Sequence, residues 1–178
     1  MNAAYSAYKT GEVMFSRDVP TEEIPNLRED PEFHVAPILG TYYVSLNLER
    51  EYFQDPKVRQ ALSLALDRQY IADTIMQGTY TPATNFIGPG VSDAEAGSSF
   101  QDTTIAEDLA KAKELLADAG YPNGEGFPMI EYMTNDAGYN KALAEYLQSA
   151  WGELGINTDI KIIEWASFTP TRRNGDYD

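Results

Sequence analysis

The chain has 178 residues, with 28 acidic and 13 basic side chains and a formal net charge of −15. This length allows one domain, and a hydrophobic fraction of 43% is enough to build a core. The acidic surplus repels phosphate, which disfavours a nucleic-acid partner or an anionic membrane surface. Because the sequence contains no cysteine, disulfides, thiolate nucleophiles and Cys-ligated zinc are excluded.

The first third of the chain predicts a helix followed by short strands. Apolar residues at one-turn spacing indicate a helix that ends at Gly11, and a second, short helix opens at Pro20. Strands are expected in three places: residues 13–19, 33–38 and 41–48. In the third strand Tyr42 and Tyr43 point to opposite faces, because side chains alternate along a strand. Neither end of the chain has the pattern of a native terminus, so we expect a piece of a longer protein.

The clearest helix start is Asp55-Pro56, with an aspartate at the N-cap and a proline at the first helical position. A core-facing stripe follows at helical spacing, consisting of Val58, Ala61, Leu62, Ala65 and Leu66. Asp67 can cap a second helix, which Gly78 ends. From residue 79 to residue 101 the chain is rich in Gly, Pro, Ser and Thr, which predicts a long functional or flexible loop.

In the second half, helices alternate with strands. Thr104 begins a capping box, and the helix behind it closes at Gly120. The remaining expectations are a strand at 129–133, a helix at 139–154, a strand at 156–164, a short helix at 168–173 and a last strand at Asp176. This alternation predicts an α/β layer fold with parallel pairing in its sheet.

Few residues have the spacing that catalysis requires. His34 stands alone in a predicted strand and is interpreted as a packing or surface residue. Asp176 and Asp178 would point the same way on a strand, where two acids raise one pKa, but a solvated edge strand is the commoner explanation. Because no nucleophile, base and orienting group occur together in the pattern, catalysis is not expected.

The aromatic and basic residues near the C terminus are more informative. Trp165 is predicted to lie at the end of a strand, and Arg172 and Arg173 come seven and eight residues later. Two adjacent arginines can hold a ligand carboxylate through bidentate hydrogen bonds. They can equally pair with Asp176 and Asp178 on the surface. The sequence pattern leaves both alternatives open.

Several segments together resemble the extracellular solute-binding proteins of peptide (oligopeptide or dipeptide) ABC importers. The matching segments are LGTYYVSLN at 39–47, FQDPKVRQALSLALDR at 53–68, AKELLADAGYPNG at 112–124, and Glu164-Trp165 with RRNGDYD at 172–178. The resemblance implies one lobe of a two-lobed, type II periplasmic-binding-protein-like α/β fold, with a mixed sheet and flanking helices. Residues 1–178 then form a single domain, the C-terminal lobe, without the N-terminal lobe and the return segment.

The resemblance also implies six ligand-binding residues: Tyr42, Tyr43, Asn135, Asn140, Trp165 and Arg172. Trp165 corresponds to a tryptophan that lines a side-chain pocket, and Arg172 to a basic residue at the groove. Asn135 corresponds to a polar residue near the C-terminal side of the ligand, and Tyr43 lies with its neighbour in a tyrosine-rich strand bordering the cleft. Asn140 stands where some peptide binders have a histidine that holds a ligand carboxylate, so this anchor is altered here.

The function implied is the capture of oligopeptides or related solutes by lobe closure, for import through an ABC permease, without catalysis, metal or cofactor. The full-length protein is then expected to be a monomer at the periplasm or cell surface, held by a lipid anchor. Two alternatives remain. A hydrolase fragment would use acidic residues such as Glu164 or Asp176, and a protein–protein interaction domain would present its tyrosines as a contact patch.

Overall fold

The computed structural model describes residues 2–17, 19–83, 85–88, 91 and 104–178. Within these ranges the α-helices are α1 (Asn2–Lys9), α2 (Ile24–Leu27), α3 (Pro56–Leu64), α4 (Arg68–Tyr70), α5 (Ile105–Asp118), α6 (Asn140–Gly152) and α7 (Trp165–Asn174). Three 3₁₀ turns lie at Thr21–Glu23, Glu51–Phe53 and Pro122–Gly124, and a π-helix spans Ile71–Ile75. None of the described helices is long and apolar enough to cross a membrane.

The sheet of the described chain consists of β1 (Ile130–Asn135) and β2 (Thr158–Ile163), joined through α6. The two strands run parallel, with Ile130 opposite Thr158 and Asn135 opposite Ile163. This confirms the α/β class and the parallel pairing. Within the described residues the sheet is a single parallel pair, which is smaller than the mixed sheet expected.

The core lies between the strand pair and helices α3, α5 and α6. Its largest fully buried side chains are Phe53, Val58, Leu62, Leu116, Ile130, Leu147, Trp151, Leu154 and Ile156. The indole Nε1–H of Trp151 donates to the carbonyl oxygen of Leu62 at 3.1 Å, so the one polar atom of this ring is satisfied inside the core. The stripe predicted on α3 is therefore the face that packs against α5 and α6.

The predicted helix caps are confirmed. The side chain of Asp55 accepts from the backbone N–H of Lys57 at 2.8 Å, and the side chain of Asp67 accepts from Tyr70 at 2.9 Å. Thr104 and Glu107 form a reciprocal capping box at the start of α5. These local bonds satisfy backbone donors that would otherwise have no partner at a helix start.

The helix after Asp67 widens into a π-helix. The N–H of Met76 donates to the carbonyl of Ile71 at 2.9 Å, five residues back, and that of Gly78 donates to Ala72 at 2.8 Å. Gln77 then adopts a positive φ of 51°, and its carbonyl accepts from the guanidinium of Arg28 at 3.0 Å. The described residues of the loop that follows, 79–83, 85–88 and 91, form neither helix nor strand, as predicted, and the rest of 79–101 lies outside the described residues.

Four predicted strands, at 13–19, 33–38, 41–48 and Asp176, are wrong: none of their described residues forms a strand. Asp18, in the first of these segments, lies outside the described residues. A strand needs a hydrogen-bonded neighbour, and alternation of side chains does not supply one. Among the described residues, the segment 41–47 makes one backbone–backbone hydrogen bond to a distant part of the chain. In this bond the N–H of Asn47 donates to the carbonyl of Asp178 at 2.8 Å. The alternation itself is real, since Val44 and Leu46 pack against the core.

The last residues of the chain return to the start of β1. The buried side chain of Asn47 donates to the carbonyls of Gly175 and Tyr177 at 3.1 and 3.0 Å. Asp178 pairs with Arg50 at 2.8 Å and accepts from the backbone N–H of Glu131 at 2.8 Å. The C-terminal segment is thus fixed beside β1 by side chains.

Two glycines allow the backbone to close tightly after α6. Gly155 has a φ of +79°, and a Cβ there would lie 2.0 Å from the carbonyl oxygen of Asn123. A Cβ on Gly124 would in turn lie 2.3 Å from the carbonyl oxygen of Gly155. These glycines therefore permit a backbone contact that no other residue type allows.

Candidate functional site

The carboxyl ends of both parallel strands lie at one edge of the sheet, because Asn135 and Ile163 are register partners and the last residues of their strands. Helix α6 begins five residues after Asn135, and α7 begins two residues after Ile163. In parallel α/β sheets this carboxyl edge is where ligands usually bind. Three of the six predicted site residues, Asn135, Asn140 and Trp165, come from this edge.

Three of the predicted residues form a hydrogen-bonded chain there. The hydroxyl of Tyr42 donates to Oδ1 of Asn140 at 3.0 Å. Nδ2 of Asn140 donates to Oδ1 of Asn135 at 2.9 Å, and the same oxygen accepts from the backbone N–H of Ala137. Asn140 is only 6% exposed and Asn135 is also buried. We call Tyr42, Asn140 and Asn135 the amide network.

A cluster of tyrosines surrounds the amide network. The rings of Tyr42, Tyr80 and Tyr139 contact one another edge to face, with centroids 5.7 to 6.2 Å apart. The hydroxyls of Tyr80 and Tyr139 lie 2.7 Å apart, so one donates to the other. The pKa of Tyr42 is raised, first by burial and secondly by the neighbouring phenol of Tyr80. The pKa of Tyr139 is raised by burial and by its hydrogen bond with Tyr80. The phenols of Tyr42 and Tyr139 are therefore neutral at physiological pH.

Trp165 and Arg172 form a second group, on α7. Trp165 is in the first turn of this helix, not at the end of a strand as predicted, and it is 62% exposed. Its ring stacks on that of Phe168, with a centroid distance of 5.6 Å and an interplanar angle of 16°. Residues at i, i+3 and i+7 share one face of a helix, so Arg172 follows this aromatic pair along the same face, about 10 Å from Trp165.

The two arginines are not neutralised by the C-terminal acids. Asp178 pairs with Arg50 instead. Among the described residues, no ion pair joins Arg172 or Arg173 to Asp176 or Asp178. Both guanidinium groups are exposed in the last turn of α7, where positive charge also complements the helix dipole.

Tyr43 belongs to a third group, which the sequence did not reveal. Its ring lies 5.0 Å from that of Phe86 at an interplanar angle of 63°, and both rings are largely exposed. The hydroxyl of Thr41 donates to the carbonyl of Phe86 at 2.7 Å. Phe86 and Tyr80 were missed because they lie in an irregular loop. Aromatic residues in a segment otherwise rich in Gly, Pro and Thr were the only available signal.

Two open grooves of about 400 and 480 Å³ lie elsewhere, beside α1, and both are lined by Tyr5 and Lys9. Neither groove contains a predicted site residue. His34 is exposed, as expected of a surface residue. No cluster of three metal-ligating His, Asp or Glu side chains occurs within the part of the chain that the structure describes.

The fold is that of a lobe of the type II periplasmic-binding-protein class. The chain belongs to the bacterial extracellular solute-binding proteins, family 5: residues 1–178 match the sequence profile of the family's Middle region. The chain is similar to a probable deoxycholate-binding periplasmic protein from Escherichia coli, with 34% identity over 178 residues, covering 97% of this chain and 32% of that protein.

Solved structures show the same similarity. The murein tripeptide binding protein MppA of E. coli superposes with a TM-score of 0.85 at 28% identity, covering 99% of this chain and 35% of that one. OppA of Haemophilus influenzae, in complex with the peptide RPPGFSPFR, gives a TM-score of 0.85 at 25% identity, over 99% and 36% of the two chains. The chain thus spans about a third of the length of the relatives it matches.

Proposed function

We propose that this chain is a ligand-binding lobe of an ABC-transporter substrate-binding protein that captures oligopeptides or related solutes. The observation that carries the proposal is the amide network at the carboxyl edge of β1, where backbone-like amide groups and neutral phenols lie together. Such groups recognise peptide backbone through hydrogen bonds that are independent of sequence. The similarity to peptide-binding proteins of the same fold supports the peptide as ligand.

The six predicted residues are proposed to act as one wall of a cleft. Trp165 offers a flat aromatic contact surface, and Arg172, which forms no ion pair with an acid of the described residues, offers a positive charge for a ligand carboxylate. Asn140 is engaged on both sides, by Tyr42 and by Asn135. It therefore positions the wall and does not replace a cationic anchor.

We propose that residues 1–178 form a single lobe and that ligand burial needs the closing surface of a second one. Binding sites for small ligands are concave and cover most of the ligand. The grooves of about 400 and 480 Å³ lie away from the six residues. The isolated chain is therefore expected to bind oligopeptides weakly, and submicromolar binding to it in calorimetry would contradict the two-walled cleft.

The remaining parts of the proposal concern the full-length protein. It acts outside the cytoplasm, held by a lipid anchor, as a monomer that delivers its solute to an ABC permease. It performs no catalysis, and acidic residues such as Glu164 and Asp176 have no chemical step. Peptide hydrolysis that is lost on Asp176→Asn would instead support the hydrolase alternative.

The decisive experiment is Trp165→Ala in the full-length protein, measured by calorimetry with an oligopeptide mixture separated from the purified protein. We expect affinity to fall about tenfold, as for an aromatic contact residue, with the unfolding midpoint unchanged because the ring is mostly exposed. Tyr70→Ala serves as the control, since Tyr70 is a partly exposed aromatic residue that stacks on Tyr146. Unchanged affinity in Trp165→Ala, or equal loss in both variants, would refute the assignment of this wall.

A further inference from the structure

Helix α7 carries two of the predicted site residues but is weakly held by packing. Its residues are half-buried at most, although the helix begins two residues after β2 ends. Pro170 lies inside the helix and has no N–H to donate to the carbonyl of Ala166, so the backbone ladder is interrupted between Trp165 and Arg172. The end of α7 that carries Arg172 therefore needs another attachment to keep a fixed place.

The side-chain amide of Asn47 holds the backbone that follows α7. Its nitrogen donates to the carbonyls of Gly175 and Tyr177, at 3.1 and 3.0 Å, and its oxygen accepts from the backbone N–H of Glu49 at 3.1 Å. Asn47 is only 7% exposed. An amide supplies two N–H donors and an acceptor oxygen from one group, and all three are used here. A carboxylate or a hydroxyl cannot make the same three bonds.

Arg50 holds the same backbone from the surface. Its Nε pairs with Oδ1 of Asp178 at 2.8 Å, and its guanidinium also donates to the carbonyl of Tyr177 at 3.2 Å. The backbone N–H of Arg50 donates to the carbonyl of Asn47 at 3.0 Å, so the two side chains project from one turn. We call Asn47 and Arg50 the clamp.

The clamp joins the two groups of predicted site residues. Asn47 lies five residues after Tyr42, which is bonded to Asn140 in the amide network. Gly175 lies three residues after Arg172, and its N–H donates to the carbonyl of Arg172 at 3.2 Å. The basic end of α7 therefore continues directly into the clamped backbone, and a short stretch of chain leads from the clamp to the amide network.

We propose that Asn47 is a positioning residue of the binding wall, which fixes the place of Arg172 relative to the amide network by holding Gly175 and Tyr177. This inference rests on the proposed function, in which Arg172 meets a ligand carboxylate. A hydrogen bond from a guanidinium to a carboxylate depends on the direction of the planar group as well as on its charge. When the end of α7 is free to move, ligand binding has to order it, and the affinity gained from the carboxylate decreases.

The test uses the full-length protein with pentaalanine and pentaalanine amide, which differ in the C-terminal carboxylate, and dissociation constants from calorimetry. We expect the unsubstituted protein to bind pentaalanine about tenfold more tightly than its amide, and Arg172→Ala to remove this preference. Asn47→Ala should lower the preference to about threefold or less, and should change the affinity for the amide by less than about twofold. Loss of fold stability alone would weaken the binding of both peptides equally.

Two further variants separate positioning from stability. Gly155→Ala is the matched control, because it also destabilises the fold, at the backbone contact with Asn123, and should leave the preference unchanged. Arg50→Met removes the surface part of the clamp and should also lower the preference. Since the side chain of Arg50 is 43% exposed, this variant keeps the fold and replaces Asn47→Ala in the comparison if that protein does not fold.

Three results would overturn the positioning role and leave peptide capture standing. They are equal binding of both peptides by the unsubstituted protein, a full preference for the carboxylate in the clamp variants, and an equal loss for both peptides in Asn47→Ala. A fall in preference in Gly155→Ala as large as that in Asn47→Ala would overturn it as well. If the unsubstituted protein binds neither peptide, the proposed function and the positioning role are both overturned.

Discussion

The hydrogen-bonded contact between Tyr42 and Asn140 allows a quantitative prediction, because the two residues are 98 positions apart and joined by one bond of 3.0 Å. Tyr42→Phe removes that bond and leaves a buried amide oxygen without its donor, which costs about 1 kcal/mol of unfolding free energy. Asn140→Ala also removes the bond to Asn135, so its cost is about 2 kcal/mol. In the double variant the shared bond is lost only once. The double variant should therefore lose about 2 kcal/mol, with a coupling energy of about 1 kcal/mol.

The measurement is urea unfolding of the four proteins, followed by far-ultraviolet circular dichroism at pH 7. At this pH Tyr42 is neutral, since burial raises its pKa. Tyr70→Phe combined with Asn140→Ala provides the control cycle and should be additive. A coupling energy below about 0.3 kcal/mol between Tyr42 and Asn140 would refute the amide network, because independent sites add within that limit.

Three further predictions concern the frame of the site. Gly155→Ala should cost at least about 2 kcal/mol of unfolding free energy, because the backbone at this position is in the left-handed region and a Cβ would meet the carbonyl of Asn123. Gly152→Ala should cost nothing, because Gly152 lies on a helix and a Cβ there would point into open space. Burial raises the pKa of Tyr132 to about 12, so this phenol should contribute about 2–3 kcal/mol to the fall in unfolding free energy between pH 10 and pH 12, and the fall should be smaller by that amount in Tyr132→Phe. Asn47→Ala loses two hydrogen bonds to the C-terminal segment and should cost about 2 kcal/mol in urea unfolding.

Each of these predictions has a contrary result. Equal stability of the two glycine variants would show that the close backbone approach is absent. If the unfolding free energy falls equally between pH 10 and pH 12 with and without the Tyr132 phenol, burial does not raise the pKa of Tyr132. Unfolding of Asn47→Ala that matches the unsubstituted protein would show that the C-terminal segment is not fixed by this side chain.

Local signals in the sequence were sufficient for the helices that begin with a side-chain cap. Asp55 and Thr104 form their caps with residues two and three positions away, so both partners are visible in a short window. The strand predicted at 41–48 failed because a ladder partner is a non-local requirement. The π-helix was missed for a related reason, since the widened turn depends on packing and not on helix propensity.

The candidate site was predictable only as a set of residues. The resemblance supplied Tyr42, Asn135 and Asn140, but their mutual hydrogen bonds join segments that are up to 98 positions apart and cannot be read from spacing. The structure moved Trp165 from a strand end to a helix start, where its ring stacks on Phe168. Tyr80 and Phe86 lay in a segment whose composition predicts only irregular backbone.

The π-helix at Ile71–Ile75 has an evolutionary consequence. A π turn accommodates one residue more than an α turn in about the same rotation about the helix axis. Losing one residue from Ile71–Ile75 would therefore restore α geometry while keeping the direction of the chain that follows, and Tyr80 would stay beside Tyr42 and Tyr139. Relatives that differ by a single-residue gap here should therefore keep the tyrosine cluster wherever their aligned aromatic residues are identical.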